Sequence, residues 1–174
     1  QADIKTATML GGHAMTAITA ITAQNTLGVT GVHAVPTEMV LAQIDACVTD
    51  IGVDAIKIGM IGSARTALAL AEKLGELPGV PVVFDPVMVA TSGATLADDA
   101  TIAAFERLMD RASVVTPNIP ELAALGGDAR ALVAVLRCAV LVKGGHVEGP
   151  IITDRLYSAD PEDPPEIEWS NPRI

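Results

Sequence analysis

Two spacings of apolar residues alternate along the chain. Runs of consecutive apolar and β-branched residues are typical of buried strands, whereas apolar residues that recur every three or four positions are typical of helices. The first pattern predicts strands over residues 14–23, 54–60, 80–86, 113–117 and 139–145. The second predicts helices over residues 37–52, 64–77, 98–111, 119–125 and 129–137. The chain also opens in a helical pattern, and the acidic segment 158–170 is expected to lead into an edge strand.

Strands that are apolar throughout and alternate with helices predict an α/β fold. In such a fold a central, mostly parallel sheet is covered by helices on both faces. Right-handed crossovers then bring the carboxyl ends of the parallel strands to one edge of the sheet. The length of 174 residues and the lack of a linker or low-complexity tract predict a single domain over residues 1–174. Thr37 is the predicted N-cap of the first long helix, and Gly52 its predicted stop.

Charge and composition narrow the classes of partner. A net charge of −10 argues against electrostatic binding to nucleic acid or to an anionic membrane. No apolar run approaches the ~20 residues that a membrane-spanning helix needs. Cys47 and Cys138 are far apart and form no metal-binding motif, which is typical of free thiols in a reducing compartment. We therefore expect a soluble cytoplasmic protein with neither nucleic-acid nor membrane partners.

Polar residues follow the predicted strands and supply the candidate chemistry. Open α/β sheets bind ligands outside the carboxyl ends of their strands. The residues found there include Gln24, Met60, Asp85, Thr116, Asn118 and Lys143, with Glu121 close by. Carboxylates beside a lysine and loop amides suit Mg²⁺ and nucleotide phosphates, because Mg²⁺ prefers oxygen ligands and phosphates need cationic and N–H donors.

Each candidate also has a purely structural interpretation. Asp85, which precedes a proline, could be a turn residue or a helix cap, and Lys143 could be a solvated strand end. Asn118 and Glu121 could form a capping box, which the pattern alone favours over a metal site. The chain contains neither GxxxxGK[ST] nor GxGxxG after a strand, so a nucleotide would be bound without a P-loop or a Rossmann fingerprint.

Six ordered segments carry a resemblance to a known family. They are "QADIKT", "ITAITAQNTLGV", "DIGVDAIKIGMIGSA", "VVFDPVMVATSG", "VVTPNIPE" and "VLVKGGH". Together they resemble the hydroxymethylpyrimidine/phosphomethylpyrimidine kinases of thiamine biosynthesis, which belong to the ribokinase-like superfamily. The resemblance implies a ribokinase-like α/β fold. It also implies ATP-dependent phosphorylation of 4-amino-5-hydroxymethyl-2-methylpyrimidine, and then of its monophosphate to the diphosphate.

The resemblance also implies a role for individual residues. Asp3, Gln24, Met60 and Val87 would form the pyrimidine site, with Gln24 bonding the aminopyrimidine edge. Lys143, Thr116 and Asn118 would contact ATP and its phosphates. Asp85 and Glu121 would hold Mg²⁺, directly or through water. The resemblance further implies a homodimer.

Two segments of the family pattern are not found between Gln1 and Ile174. The Gly-rich strand and loop are expected before Gln1, and the anion-hole segment with the catalytic residue after Ile174, so no catalytic residue is assigned within the chain. Because anion-hole donors are worth roughly 10²–10³ in rate, we expect the chain alone to be nearly inactive. Two alternatives stay open: a pyridoxine or pyridoxal kinase of the same superfamily, and a non-catalytic remnant that binds a pyrimidine.

Overall fold

A computed structural model describes residues 2–89, 96–146 and 148–173. Its helices are α1 (Ala2–Met9), α2 (Thr37–Asp50), α3 (Ala64–Gly75), α4 (Asp99–Met109), α5 (Ile119–Ala124) and α6 (Ala129–Leu136). Its strands are β1 (Ala20–Gln24), β2 (Val29–Ala34), β3 (Ile56–Ile58), β4 (Val82–Phe84), β5 (Val114–Val115), β6 (Ala139–Val142), β7 (Ile151–Tyr157) and β8 (Glu166–Pro172).

The central sheet has six strands in the order β3-β4-β5-β6-β7-β8. The pairs from β3 to β6 are parallel, whereas β7 and β8 continue the sheet as antiparallel strands. The predicted α/β class with a mostly parallel sheet is therefore confirmed. The edge strand predicted after the acidic segment is also confirmed, since it is β8.

The register places one row of apolar side chains on a single face of the sheet. Phe84 pairs with Ile58 on one side and with Val115 on the other, and Val115 pairs with Val140. Helices α3 and α4 bury this face in one apolar cluster, and α5 and α6 bury its β6 end in a second cluster. At the centre, the Phe84 and Phe105 rings meet edge to face with centroids 5.2 Å apart. Their contact contributes about 0.5–1.5 kcal/mol beyond the stabilisation that comes from burying the two rings.

The opposite face of the sheet carries α1 at its β3 edge. Lys57 alternates with the buried Ile58 along β3, so its side chain points away from the core. There the Lys57 ammonium forms an ion pair of 2.8 Å with Asp3 of α1. Helices thus lie on both faces, as the sequence predicts.

The predicted strand over residues 14–23 differs from the structure in extent and partner. The strand begins only at Ala20, and it pairs with β2 as a separate antiparallel ribbon rather than joining the central sheet. The ribbon is anchored at its base, where the Thr19 hydroxyl donates to the Met60 carbonyl at 2.6 Å. The run of β-branched residues indicated a strand correctly, but it carries no information on which strand is the partner.

Three local features of the structure were not predicted. The sequence analysis missed β2 and β7 altogether. It also assigned Thr37 as the N-cap of α2, which is wrong because that cap is Pro36. Thr37 is instead buried, and its hydroxyl pairs with that of Thr66 at 2.9 Å. The predicted stop is confirmed, since Gly52 follows the helix with φ of 88°.

Candidate functional site

Asp85 and Lys143 meet at the carboxyl edge of the parallel strands. Asp85 directly follows β4, where its N–H donates to the Ile58 carbonyl at 2.8 Å. The Lys143 ammonium lies 2.6 Å from Asp85 Oδ1, and the two side chains are 35% and 18% exposed. A half-buried ion pair of this kind keeps a cation and an anion at one edge of the sheet, where both remain accessible to a ligand.

Backbone contacts hold the end of β6 against the segment after β5. Lys143 N–H donates to the Pro117 carbonyl at 2.9 Å, and Asn118 and Lys143 form an isolated parallel bridge. Thr116 N–H likewise donates to the Phe84 carbonyl at 2.9 Å. These bonds tie the segment after β5 to the ends of β4 and β6 and so bring three strand ends together.

Asn118 and Glu121 form a capping box at the start of α5. Asn118 Oδ1 accepts from Glu121 N–H, and Glu121 Oε2 accepts from Asn118 N–H, both at 2.8 Å. Both residues are buried. The structural interpretation of this pair is therefore confirmed, and the roles of Glu121 in metal binding and of Asn118 in phosphate binding stay predictions.

The predicted pyrimidine residues lie on separate elements. Met60 and Val87 are half-buried and follow the neighbouring strands β3 and β4. Asp3 lies in α1, where its carboxylate is already paired with Lys57. Gln24 is exposed and ends β1 beside the turn of the ribbon, so it does not lie at a strand end of the central sheet. The expectation that Gln24 follows a strand of that sheet is therefore wrong.

Asp154 is a polar residue of this region that the sequence analysis missed. Its Oδ1 accepts a hydrogen bond of 2.8 Å from the N–H of Gly144, the residue after Lys143. The run IITDRLY, residues 151–157, has β-branched and aromatic residues at its ends, which was a signal for a strand here. It was overlooked because the run is short and contains charged residues.

A cleft of about 540 Å³ opens on the helix-covered side of β6 and β7. It is lined by residues of α5, α6, β6 and β7, among them Leu122, Val142 and Tyr157. Arg130 and Arg155 border the cleft, but each already pairs with a glutamate of β8 at 2.7–2.9 Å. The Asp85–Lys143 pair is not among its lining residues.

Shifted pKa values occur at residues outside the candidate site. Burial raises the pKa of the Cys138 thiol to about 11, with a further contribution from the negative charge of Asp110. Hydrogen bonds to Asp45 and Glu76 raise the pKa of Lys73. The Thr101 hydroxyl and N–H lower the pKa of Asp98, which caps α4. A thiol with so high a pKa is not a nucleophile at neutral pH, so Cys138 is a packing residue.

Comparison with known proteins shows the family of the chain. The sequence model described as phosphomethylpyrimidine kinase matches residues 1–173. A hydroxymethylpyrimidine/phosphomethylpyrimidine kinase from Rhizobium meliloti is 48% identical over 173 residues. That alignment covers 92% of this chain and 65% of the relative, so the chain spans about two thirds of the relative's length.

Solved structures show the same fold. A phosphomethylpyrimidine kinase from Clostridium difficile superposes with a TM-score of 0.82 at 33% identity, over 97% of this chain and 75% of that one. A pyridoxal kinase from Bacillus subtilis, solved as an ADP complex, also gives 0.82, at 27% identity, over 100% of this chain and 69% of that one. Both are ribokinase-like kinases, which confirms the predicted fold family. The chain therefore belongs to the phosphomethylpyrimidine kinase family.

Proposed function

We propose that this chain binds ATP and a pyrimidine alcohol as part of a kinase of thiamine biosynthesis. The kinase would phosphorylate 4-amino-5-hydroxymethyl-2-methylpyrimidine and then its monophosphate. The observation that carries the proposal is the 2.6 Å contact of Lys143 with Asp85 at adjoining strand ends, beside the capping box of Asn118 and Glu121. It supplies a cation for phosphate and a carboxylate for metal in one place, in a chain whose family is known.

The phosphates of ATP are assigned to Lys143, Thr116 and Asn118. Lys143 supplies a point charge at the edge of the sheet, and its pairing with Asp85 keeps the ammonium in place before a ligand arrives. Thr116 and Asn118 are buried on the adjoining segment, where the backbone is held by hydrogen bonds to β4 and β6. A rigid support of this kind suits phosphoryl transfer, which depends mainly on positioning and charge stabilisation.

Magnesium is assigned to Asp85 and Glu121. Within the described segments, no cluster of three or more His, Cys, Asp or Glu residues could hold a metal ion by itself. This agrees with Mg²⁺, which is usually held by one or two carboxylates together with substrate phosphates and water. Glu121 Oε2 is engaged in the capping box, so its metal-binding role falls to Oε1. When bound, Mg²⁺ would neutralise phosphate charge, while the residues of this chain orient the nucleotide.

The pyrimidine is assigned to Asp3, Gln24, Met60 and Val87. Met60 and Val87 would pack against the ring, because both are half-buried at the ends of neighbouring strands. Gln24 offers a donor and an acceptor in one amide, which matches the edge of an aminopyrimidine. For Gln24 to reach the ring, the ribbon has to fold towards the edge of the sheet, and its base already lies there through Thr19 and Met60.

A pyridoxal kinase is the second candidate. The observation in its favour is the fold, because the pyridoxal kinase of Bacillus subtilis superposes as well as the phosphomethylpyrimidine kinase of Clostridium difficile. Sequence identity favours the pyrimidine enzyme, at 33% against 27% in the same two comparisons. Hydroxymethylpyrimidine and pyridoxal differ at the edge of the ring. The choice between the two kinases therefore rests on which of these rings the chain binds.

Binding measurements test this proposal directly. We expect calorimetric titration of the chain to show binding of ATP with Mg²⁺, and of hydroxymethylpyrimidine in preference to pyridoxal. Tighter binding of pyridoxal would favour the second candidate. If the chain bound the pyrimidine but bound no nucleotide, a non-catalytic remnant would be favoured instead.

Assembly, location and completeness belong to the same proposal. We assign the protein to the cytosol. We also assign it as a homodimer, and sedimentation of the purified chain would test this oligomeric state. In the described part of the chain, no helix has the length and apolarity that crossing a membrane requires. Turnover by this chain, compared with that of a protein carrying the expected flanking segments, tests whether those segments complete the active site.

A further inference from the structure

The structure assigns Asp154 as a positioning residue for Lys143. Asp154 Oδ1 accepts the Gly144 N–H at 2.8 Å and so fixes the peptide that directly follows Lys143. This inference rests on the proposed function, in which the Lys143 ammonium contacts the phosphates of ATP. The aspartate lies on β7 and would act through the backbone, without touching the ligand.

The strand register brings Asp154 level with the end of β6. Leu141 pairs with Leu156 and Val142 with Arg155, so the next step along both strands sets Lys143 against Asp154. Lys143 N–H turns instead to the β5 side, where it donates to the Pro117 carbonyl. The end of β6 is therefore held from one side by a backbone bond and from the other by the Asp154 carboxylate.

Close packing at Gly144 makes this contact possible. A Cβ atom built on Gly144 would overlap the Thr153 carbonyl oxygen and lie 2.8 Å from the carbonyl carbon. Only glycine allows β6 to come so near to β7, and the short approach brings its N–H within reach of Asp154. The next residue is held as well, because the Arg173 guanidinium donates to the Gly145 carbonyl at 3.1 Å.

The hydrogen bond has the properties of a positioning contact. A carboxylate that accepts from a backbone N–H forms a charge-assisted bond, which is stronger than a neutral one. Asp154 is half-buried, so the bond is partly shielded from water. Release of this peptide would let the Lys143 ammonium move away from Asp85, and a displacement of about 1 Å at a phosphate-binding group can cost roughly 10²-fold in rate.

Three substitutions of Asp154 separate a hydrogen-bonding role from a charge effect. Asp154→Ala removes the acceptor, Asp154→Asn keeps an acceptor without charge, and Asp154→Glu keeps the charge but displaces it by one methylene. Asp160→Ala is the matched control, because Asp160 Oδ1 accepts the Glu162 N–H at 2.9 Å in the loop between β7 and β8. That loop lies at the other end of these strands from Lys143, because Tyr157, the last residue of β7, pairs with Val140 near the start of β6.

Calorimetric titration with Mg-ATP is the first measurement. We expect Asp154→Ala to weaken binding about ten-fold, and Asp154→Asn to stay within about three-fold of wild type. Asp154→Glu should lie between them, Asp160→Ala should bind as wild type, and pyrimidine binding should be unchanged throughout. Wild-type affinity in Asp154→Ala would overturn the inference. So would a larger loss in Asp154→Asn than in Asp154→Glu, because the charge of Asp154 would then matter more than the position of its acceptor atom.

A second measurement needs no ligand. In wild type the ion pair should slow proton exchange at Lys143 Nζ enough for its NMR signal to be seen. We expect that signal to weaken in Asp154→Ala and to persist in Asp154→Asn. Asp154→Glu, in which the signal should weaken in part, serves if the alanine variant does not fold. An unchanged signal in folded Asp154→Ala or Asp154→Glu would refute the inference. If wild type bound no nucleotide, the proposed function would fail, while this signal would still decide whether Asp154 fixes Lys143.

Discussion

The Asp85–Lys143 ion pair places one negative and one positive charge at the candidate site. The two opposite charges attract each other at 2.6 Å, and in the proposed function Lys143 would contact phosphate while Asp85 would hold the metal. The two residues are 58 positions apart in the chain. Their types could be predicted as candidates from the ends of the predicted strands, but their contact could not, because it depends on the register and spacing of the strands between them.

Replacement of Asp85 by asparagine separates its metal role from its pairing role. If Asp85 holds Mg²⁺, Asp85→Asn should weaken binding of Mg-ATP by about 10–100-fold. Binding of metal-free ATP should be unchanged or tighter, because a negative charge beside the phosphates is removed. Calorimetry with Mg²⁺ and with EDTA measures both, and Asp54→Asn at an exposed position is the control. An equal loss in both conditions would contradict a metal role.

Replacement of Gln24 tests the assignment of the pyrimidine edge. Gln24 is exposed in the absence of ligand, so Gln24→Ala should change the free energy of unfolding by less than about 0.5 kcal/mol. Affinity for hydroxymethylpyrimidine should fall about ten-fold, because an amide that bonds the ring edge is lost. Thr26→Ala, in the turn of the same ribbon, should bind as wild type. Equal affinities in the two variants would remove Gln24 from the site.

The capping box of α5 is a structural motif that would also serve chemistry in the proposed function. The capping box satisfies two backbone N–H groups at the start of a helix of only six residues. It also fixes the side chains of Asn118 and Glu121, and Asn118 itself pairs with Lys143 in a backbone bridge. The spacing of the two residues predicted this motif correctly, because a capping box depends only on residues three apart in the chain.

A substitution at Asn118 measures the structural part of this double role. Asn118→Ala should lower the free energy of unfolding by about 1 kcal/mol without any ligand, whereas Asn118→Asp keeps an acceptor and should be nearly neutral. Urea denaturation followed by circular dichroism measures both. If both variants kept wild-type stability but lost nucleotide binding, the residue would act on the ligand alone.

Hydrogen bonds join the base of the β1–β2 ribbon to the rest of the molecule. The Thr19 hydroxyl bonds the Met60 carbonyl, and Gln43 of α2 bonds the backbone of Ile18. Its pairing could not be predicted from the apolar pattern, because an antiparallel ribbon and an edge of the main sheet use the same β-branched residues. The connection would matter for the proposed pyrimidine site, because Gln24 lies at the far end of the ribbon.

Loss of the Thr19 hydroxyl should loosen this connection. We expect Thr19→Val to lower the free energy of unfolding by about 1 kcal/mol and to weaken pyrimidine binding several-fold. Thr22→Val, within β1 itself, keeps the anchor and should bind the pyrimidine normally. Calorimetry with the pyrimidine and urea denaturation give the two quantities. Unchanged pyrimidine affinity in Thr19→Val would mean that the ribbon is positioned by other contacts.

For the molecule as a whole, stability rests on the helix-covered face of the sheet. Phe105 and Phe84 are fully buried at the centre of the larger apolar cluster. Phe105→Ala should lower the free energy of unfolding by about 3–5 kcal/mol, because it removes a large buried ring and leaves a cavity. Leu68→Ala on α3 should cost much less, since Leu68 is 45% exposed. Similar midpoints of urea denaturation for the two variants would contradict this account of the core.

The sequence by itself determined the features that depend on neighbours along the chain. The apolar strands, the amphipathic helices and the capping box of α5 all follow from spacings of one to four residues. Tertiary structure alone decided which strands pair, that β1 leaves the central sheet, and that β7 returns antiparallel with Asp154 beside Gly144. The physical reason is that these contacts join distant segments, and their geometry is set by packing and register rather than by local conformational preference.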